Sequence, residues 1–207
     1  MTMIFWYLGT AIVCYLLGCF NTAAVISRAK GFDIREKGSG NAGASNALVV
    51  MGKGAAALTT LVDMAKAFLP VFAIEHWIPA VKSIPFLGIF AGCMVIMGHI
   101  FPFWMHFRGG KGFASLLGMS LAIDWRLFLG FLLITGLLLL TTKYIALATI
   151  TCSAVFPFFR MWQTGELIEM LLLLILAAVM IWKHVPNLKR MKNGEEIGLN
   201  DVGKHKT

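Results

Sequence analysis

Residues 38–47, GSGNAGASNA, combine a flexible backbone with hydrogen-bonding side chains in a way that suits an anion. Glycine lets successive backbone N–H groups turn toward one point, and such a nest binds phosphate. A helix that starts just after such a loop adds a partial positive charge from its first amides. The segment therefore indicates one wall of a phosphate site. Its candidate groups are Gly38, Ser39, Gly40, Asn41, Gly43, Ser45 and Asn46.

A second segment, FRGGKGFAS at 107–115, is also rich in glycine and carries two cations. It is not a Walker A loop, because position 105, where the first glycine of G-x-x-x-x-G-K would fall, is Met. Taken alone, its glycines would make a tight turn with a basic flank. The similar segment at 38–47 favours phosphate binding instead. The candidate groups are Arg108, Gly109, Gly110, Lys111 and Gly112.

A third segment, HVPNLKRMKNGEE at 184–196, carries a histidine, two asparagines and two acids. His184 and Asn187 share one helix face if the last helix runs on past the bilayer. Pro186 predicts instead that the helix ends there. Glu195 and Glu196 would accept hydrogen bonds from neighbouring loops or orient a lysine. The alternative is a solvated basic tail.

Polar residues also occur inside apolar stretches. Asp63 and Lys66 lie on one helix face at i, i+3. Ionisable residues at membrane depth are functional or paired, so both a structural ion pair and a part of the site stay open. Thr149 would bond its own helix backbone or face the phosphate site. His99 is interpreted as a helix-end hydrogen-bonding residue rather than a catalyst.

Composition places these groups in a membrane protein. The chain has 207 residues, of which 58% are hydrophobic and only 14% charged, whereas soluble domains carry about 25% charged residues. This length fits a single transmembrane domain over 1–207. The net charge of +8 fits basic cytoplasmic loops better than nucleic acid. The four cysteines form no CxxC pair and no histidine lies at metal spacing, so they predict small buried residues and no metal site.

Charge asymmetry sets the topology. A helical crossing needs about 20 apolar residues, and the positive-inside rule puts the basic segments 28–53 and 108–111 and the basic tail in the cytoplasm. An even number of crossings must then join 108–111 to the tail, so the apolar stretch 112–141 is split at Asp124–Arg126. The prediction is an all-α bundle of seven transmembrane helices with the N-terminus outside and a flexible cytoplasmic tail at 190–207. The spans are 3–27, 54–74, 84–104, 112–123, 126–141, 144–159 and 166–183.

This topology brings the three segments to one membrane face as a pocket for a phosphorylated ligand. Two classes fit such a pocket: an enzyme that joins a soluble phosphate compound to a lipid, and a transporter of a phosphorylated solute. A transporter would carry repeated halves and a polar path through the membrane. The sequence has no evident internal repeat and few polar residues on the outer side of Asp63, which favours the enzyme.

The three segments, in this order and spacing, resemble the PlsY family of bacterial membrane acylphosphate:glycerol-3-phosphate acyltransferases. GSGNAGASN resembles its first motif, followed by an Asp-x-x-Lys helix at Asp63-Met-Ala-Lys66. GHIFPFWMHFRGGKGFAS resembles the second motif, and HVPNLKRMKNGEE the third, in which HxxN and a basic stretch precede GxE. The resemblance covers nearly the whole chain. It implies seven helices in the bacterial plasma membrane and a cytoplasmic active site.

The reaction implied by the resemblance is transfer of a fatty acyl group from acyl-phosphate to the 1-hydroxyl of sn-glycerol 3-phosphate. Lysophosphatidic acid and phosphate would be released, with no acyl-CoA, cofactor or metal. A substrate phosphate oxygen would serve as base for the attacking alcohol. No oligomeric state is implied. The implied catalytic residues are Ser39, Lys111, Thr149, His184 and Asn187. The substrate-binding candidates are Gly38, Gly40, Asn41, Gly43, Asn46, Lys53, Arg108, Gly109, Gly110, Gly112 and Glu195.

One position departs from the family pattern. The first motif of the family continues to an arginine three residues after its final asparagine, and this chain has Val49 there. One bidentate phosphate contact is thereby lost. Lys53 lies one turn further on, but it is a point charge on a flexible stem and not an equivalent. A paralogous acyltransferase with another acceptor therefore stays an alternative.

Overall fold

The computed structural model describes residues 2–81 and 83–198, and all regular structure in that part of the chain is helical. The predicted all-α fold is confirmed. Short 3-10 and π-helical turns complete the connections. The helices of these residues are α1 (Thr2–Cys19), α2 (Thr22–Ala29), α3 (Ala44–Met51), α4 (Lys53–Phe72), α5 (Leu87–Ile100), α6 (Phe113–Ile123), α7 (Trp125–Thr142), α8 (Ile145–Thr164) and α9 (Leu167–Lys192).

Six helical stretches of the described residues are long and apolar enough to cross a membrane. They are Met3–Ala29, Lys53–Trp77, Leu87–Met105, Trp125–Thr142, Ile145–Thr164 and Leu167–Lys192. The apolar helix α6 is shorter, with 11 residues. Large apolar side chains such as Leu133, Leu140 and Trp162 face outward, as lipid-facing residues do. The chain is an integral membrane protein.

The first predicted crossing, 3–27, corresponds to two helices with a break at Asn21. The Asn21 side chain accepts a hydrogen bond from the Ala24 backbone N–H at 2.8 Å and so caps α2. Its Nδ2 donates to the Ala42 carbonyl at 2.8 Å. The break therefore ties the first crossing to the loop that begins at residue 38.

Helix α6 separates from α7 at Asp124, where the sequence predicts a split. The Asp124 side chain accepts from the Arg126 backbone N–H at 2.8 Å and caps α7. Asp124 also accepts a hydrogen bond from Gln163 Nε2 at 2.8 Å, and nearby Arg160 pairs with Glu169 at 2.7 Å. These polar contacts join α8, α9 and the α6–α7 turn.

Helix α5 lies at the centre of the bundle, with most of its residues buried. Its close contact with α1 depends on two glycines. A side-chain carbon at Gly18 would lie 2.1 Å from the Val95 carbonyl oxygen, and one at Gly98 would lie 2.2 Å from that of Tyr15. Small residues let membrane helices approach closely in this way. All four cysteines are free and buried, as predicted.

Helix α9 does not end at Pro186, so the prediction of a helix end there was wrong. The helix continues to Lys192, because proline removes one backbone hydrogen bond and the remaining contacts of the last turns hold the helix. Of the predicted tail at 190–207, the first three residues are therefore helical. Residues 193–198 follow as turn and loop, and 199–207 lie outside the described residues.

Candidate active site

The three segments selected from the sequence meet around one cavity of about 400 Å³. Helices α4, α6, α7 and α8 complete its wall. The wall is polar at the loops and apolar at Phe113, Leu117 and Ile145. Of the candidate residues, those lining it are Gly38, Ser39, Asn41, Gly43, Ser45, Asn46, Asp63, Lys111, Gly112, Thr149, His184, Asn187 and Glu195.

A second cavity of about 620 Å³ adjoins the first. Ser39, Asn41, Lys111 and Arg190 line both cavities. The candidates Gly40, Arg108 and Gly109 line the second. Lys53 is exposed and lines neither cavity, so it does not stand in for an arginine at position 49.

Asn46 organises the first segment from inside. Its Oδ1 accepts from the Ser39 backbone N–H at 2.9 Å, and its Nδ2 donates to the carbonyls of Ile34 and Lys37 at 3.1 and 2.9 Å. The side chain is buried. Its amide groups are thus committed to the loop, whereas the Ser39 side chain stays at the junction of the two cavities.

Two helices begin at the cavity after a glycine. Helix α3 follows Gly43 and α6 follows Gly112, and neither cap provides a side-chain hydrogen bond. The first amides of each helix therefore lack a capping side chain and attract negative charge. This is the arrangement that the glycine-rich segments predicted.

Glycine is required at 109 and 110 by close packing. The backbone N–H groups of Gly109 and Gly110 donate to the carbonyls of Ile100 and His99 at 3.0 and 3.1 Å. A side-chain carbon at Gly109 would lie 2.1 Å from the His99 carbonyl oxygen, and one at Gly110 would lie 2.1 Å from His99 Nε2. The segment is pressed against the end of α5, which fixes the position of the next residue, Lys111.

Lys111 supplies a full positive charge to the cavity. Its Nζ donates to Asn187 Oδ1. Burial and the neighbouring Arg190 guanidinium lower the pKa of Lys111 to about 8, although the Glu196 carboxylate partly opposes this shift. The lysine is thus a poorly hydrated cation, which strengthens its attraction for an anion.

Helix α9 presents His184 and Asn187 to the cavity. His184 Nδ1 donates to the Met180 carbonyl at 2.7 Å, because that oxygen can only accept. In the neutral ring the Nε2 lone pair is therefore left as an acceptor. Asn187 bonds Lys111 through its Oδ1 and donates from Nδ2 to Glu196 Oε1 at 2.5 Å.

The sequence reasoning considered Glu196 together with Glu195 but selected only Glu195 for the site, and it left out Arg190. Glu196 Oε2 accepts from Arg190 Nε at 2.7 Å, so one carboxylate holds both Asn187 and Arg190. Glu195, which was selected, lines the cavity but is exposed. The spacing G-x-E in the third motif already points to Glu196, whereas the basic run around Arg190 gave no signal of its own.

A buried charged cluster forms part of the cavity wall, where Asp63 and His99 line it. Lys66 Nζ contacts Asp63 Oδ1 at 2.7 Å, His99 Nδ1 at 2.9 Å and the Phe20 carbonyl at 2.7 Å. The contacts with His99 and the Phe20 carbonyl are hydrogen bonds, and the contact with Asp63 is an ion pair. Because Lys66 donates, the neutral His99 carries its proton on Nε2, toward Gly110. The cluster links the break at Phe20 and Asn21 to the second segment.

Thr149 serves both of the roles that the sequence allowed. Its hydroxyl donates to the Ile145 carbonyl at 3.1 Å, and the buried residue lines the cavity.

Within the described residues no group of three or more His, Cys, Asp or Glu side chains is placed to hold a metal ion.

The fold and the site together define a helical membrane protein with a basic, glycine-lined cavity that has an apolar wall. A family model described as glycerol-3-phosphate acyltransferase matches residues 8–194. The chain therefore belongs to the glycerol-3-phosphate acyltransferase family, as its motifs indicated.

Relatives and solved structures agree with this assignment. The glycerol-3-phosphate acyltransferase of Prochlorococcus marinus (strain MIT 9312) is 35% identical over 191 residues, which cover 91% of this chain and 95% of the relative. That of Methylorubrum extorquens (strain PA1) is 38% identical over 183 residues, covering 88% and 87%. The crystal structure of PlsY (YgiH), an integral membrane glycerol 3-phosphate acyltransferase, in its glycerol 3-phosphate form superposes with a TM-score of 0.85 at 29% identity. The match covers 97% of this chain and 99% of that one.

Proposed function

We propose that this chain transfers a fatty acyl group from acyl-phosphate to the 1-hydroxyl of sn-glycerol 3-phosphate and releases lysophosphatidic acid and phosphate. Acyl transfer to glycerol 3-phosphate is the reaction of the family, and it is the first acylation step of phospholipid synthesis. A crystal structure of the similar protein PlsY in a lysophosphatidic acid form, 31% identical with a TM-score of 0.78, agrees with this product. The transporter alternative is set aside because the chain belongs to an enzyme family.

The observation that carries the proposal is the convergence of three phosphate-binding elements on one cavity with an apolar wall. Two uncapped helix starts and Lys111 suit phosphate groups. Phe113, Leu117 and Ile145 suit an acyl chain. A lipid-linked donor and a small phosphorylated acceptor need such a combination.

The chemistry then consists mainly of alignment and charge stabilisation. The 1-hydroxyl oxygen attacks the carbonyl carbon of acyl-phosphate, the carbon–oxygen bond to phosphate breaks, and the hydroxyl proton passes to a phosphate oxygen. Phosphate monoesters have a second pKa near 6, so such an oxygen can take the proton near neutral pH. Lys111 and the amides of α3 and α6 stabilise the charge that develops. Ser39, Thr149 and the Nε2 acceptor of His184 orient the acceptor.

The donor is tested directly with purified protein. With glycerol 3-phosphate as acceptor, we expect lysophosphatidic acid to form from acyl-phosphate and no product to form from acyl-CoA. The leaving group of acyl-phosphate is itself the anion that the loops suit, whereas the leaving sulfur of a thioester has no phosphate beside the carbonyl. Product is measured by mass spectrometry with phosphate release as a second readout. Comparable turnover with both donors would contradict the assignment of the donor.

The orientation in the membrane belongs to the same proposal. Seven crossings, with α6 counted as one, put the N-terminus outside, the C-terminus inside and the cavity on the cytoplasmic face of the bacterial plasma membrane. The positive-inside rule supports this arrangement, because the basic segments 28–53 and 108–111 and the end of α9 then face the cytoplasm.

Cysteine labelling tests the orientation. In intact cells we expect a cysteine at Trp125 to react with a membrane-impermeant maleimide and a cysteine at His106 to stay unlabelled until the cells are opened. Both positions are exposed at opposite ends of α6, and the native cysteines are buried and give little background. Labelling at 106 but not at 125 from outside would invert the topology.

A further inference from the structure

Arg190 lies on the last turn of α9 and lines both cavities. Its guanidinium is fixed at one end, because Nε donates to Glu196 Oε2 at 2.7 Å. Glu196 is itself held by Asn187 at 2.5 Å. The fork of Arg190 is therefore oriented by the same carboxylate that positions the partner of Lys111.

One terminal nitrogen of this guanidinium lacks a hydrogen-bond partner among the described residues. Arg190 Nη2 is buried and makes no hydrogen bond within residues 2–81 and 83–198. Arginine keeps its charge under all ordinary conditions, and a buried donor of a charged group is costly to leave unpaired. A bound anion at the junction of the cavities would satisfy it.

The electrostatic surroundings favour such an anion. Arg190 and Lys111 are close enough for the arginine to contribute to the lowered pKa of Lys111. The carboxylate of Glu196 partly neutralises the positive charge of these two residues, and it already accepts two hydrogen bonds. A planar guanidinium beside an ammonium matches the oxygens of a phosphate monoester, since arginine can bind two of them at once.

The residue at position 49 makes an arginine on α9 more important in this chain. Val49 lines the 400 Å³ cavity that Arg190 also lines, and it contributes no charge. The second cavity, where Arg190 adjoins the exposed residues His106 and Arg108, offers a polar approach for a water-soluble acceptor. The apolar wall lies in the first cavity, where it suits the donor chain.

We propose that Arg190 binds the phosphate group of glycerol 3-phosphate and supplies, from the end of α9, the arginine contact that Val49 does not provide. The inference rests on the proposed function, since it assigns a residue to its acceptor. It differs from a role in which Arg190 only anchors the turn at 193–196 through Glu196.

The first test separates acceptor from donor. For Arg190→Gln we expect the KM for glycerol 3-phosphate to rise at least tenfold, with kcat within about threefold and the KM for acyl-phosphate unchanged, as loss of a ground-state contact predicts. Lys189→Gln is the matched control, because Lys189 is an exposed cation one residue away that lines neither cavity. A rise confined to the KM for acyl-phosphate, or no rise in either, would overturn the proposal.

The second test is rescue by an arginine at position 49. In the Arg190→Gln background, Val49→Arg should bring the KM for glycerol 3-phosphate back to within about threefold of wild type, whereas Val49→Met should not. An arginine at position 49 cannot repair a lost anchor to Glu196, so a merely structural role predicts no rescue. Equal behaviour of the two position-49 variants would therefore sink the inference.

A folding defect can be distinguished from a loss of acceptor binding by a second variant. If Arg190→Gln does not fold, Arg190→Lys retains a cation and a long stem, and a three- to tenfold rise in the KM for glycerol 3-phosphate, with rescue by Val49→Arg, is expected. An unchanged KM in that variant would count against the proposal. A wild type that forms no lysophosphatidic acid would refute the proposed function. An active wild type whose Arg190 variants keep the wild-type KM for glycerol 3-phosphate would refute only this inference.

Discussion

Replacing Lys111 by alanine should lower kcat for acyl transfer by about 10²–10³-fold, the effect of removing one group that stabilises an oxyanion. Lys111 is the cation between the two uncapped helix starts, and it is held there by Asn187. A charge-assisted hydrogen bond contributes about 1.5–3 kcal/mol, and more where it strengthens in the transition state. The rate of lysophosphatidic acid formation at saturating substrates measures the loss.

Two further variants define what the loss means. Lys111→Met keeps most of the aliphatic stem and should be as inactive as the alanine variant if the charge is responsible. Lys192→Ala removes an exposed cation that lines neither cavity and should retain wild-type activity. Activity of Lys111→Met within tenfold of wild type would show that the stem, and not the ammonium, matters.

Replacing Lys66 by methionine should destabilise the folded protein by about 3–5 kcal/mol, since it leaves the buried Asp63 carboxylate without its partner. Asp63 is 1% exposed, and the lysine also ties the Phe20 carbonyl and His99 together. Adding Asp63→Asn to the Lys66→Met variant removes the uncompensated charge and should recover part of the loss. Thermal unfolding in one detergent, with all variants side by side, measures both effects.

The double variant makes this prediction specific. If the charges interact, the double variant is more stable than the sum of the two single losses predicts. Purely additive losses would mean that the two residues act independently, through packing, and that their proximity has no energetic consequence.

Much of the site could be predicted because its elements are local in sequence. Glycine next to serine, asparagine or lysine indicates the segments that meet at the cavity, although the backbone N–H groups of Gly109 and Gly110 bond the end of α5 and do not form a free anion nest. Asp124 predicts a helix start because its side chain caps the next helix. The break at Asn21 was missed because its cause is not local. The Asn21 amide also bonds the Ala42 carbonyl, a contact across 21 positions of sequence that no local pattern reveals.

Two features at the end of α9 were not predicted, for a similar physical reason. Pro186 disfavours a helix locally, but His184 and Asn187 are held in the site on the same continuous helix, and this tertiary context outweighs one lost backbone bond. Glu195 and Glu196 are adjacent acids, and composition does not distinguish them. Only the fold shows that the second one reaches Asn187 and Arg190.

The shortness of α6 has a consequence for the membrane itself. With 11 residues it is roughly 16 Å long at 1.5 Å per residue, about half of a hydrocarbon layer of ~30 Å. In the proposed orientation, with Asp124 at the headgroups of the outer leaflet, α6 would begin below the headgroups of the cytoplasmic leaflet, and Lys111 would lie at the bottom of a cavity open to the cytoplasm. Irregular backbone is tolerated at that depth where it lines a hydrated cavity. For the proposed reaction, the water-soluble acceptor would then enter from the cytoplasm through the hydrated cavity, whereas the lipid-linked donor would enter from the bilayer and keep its acyl chain among the lipid chains.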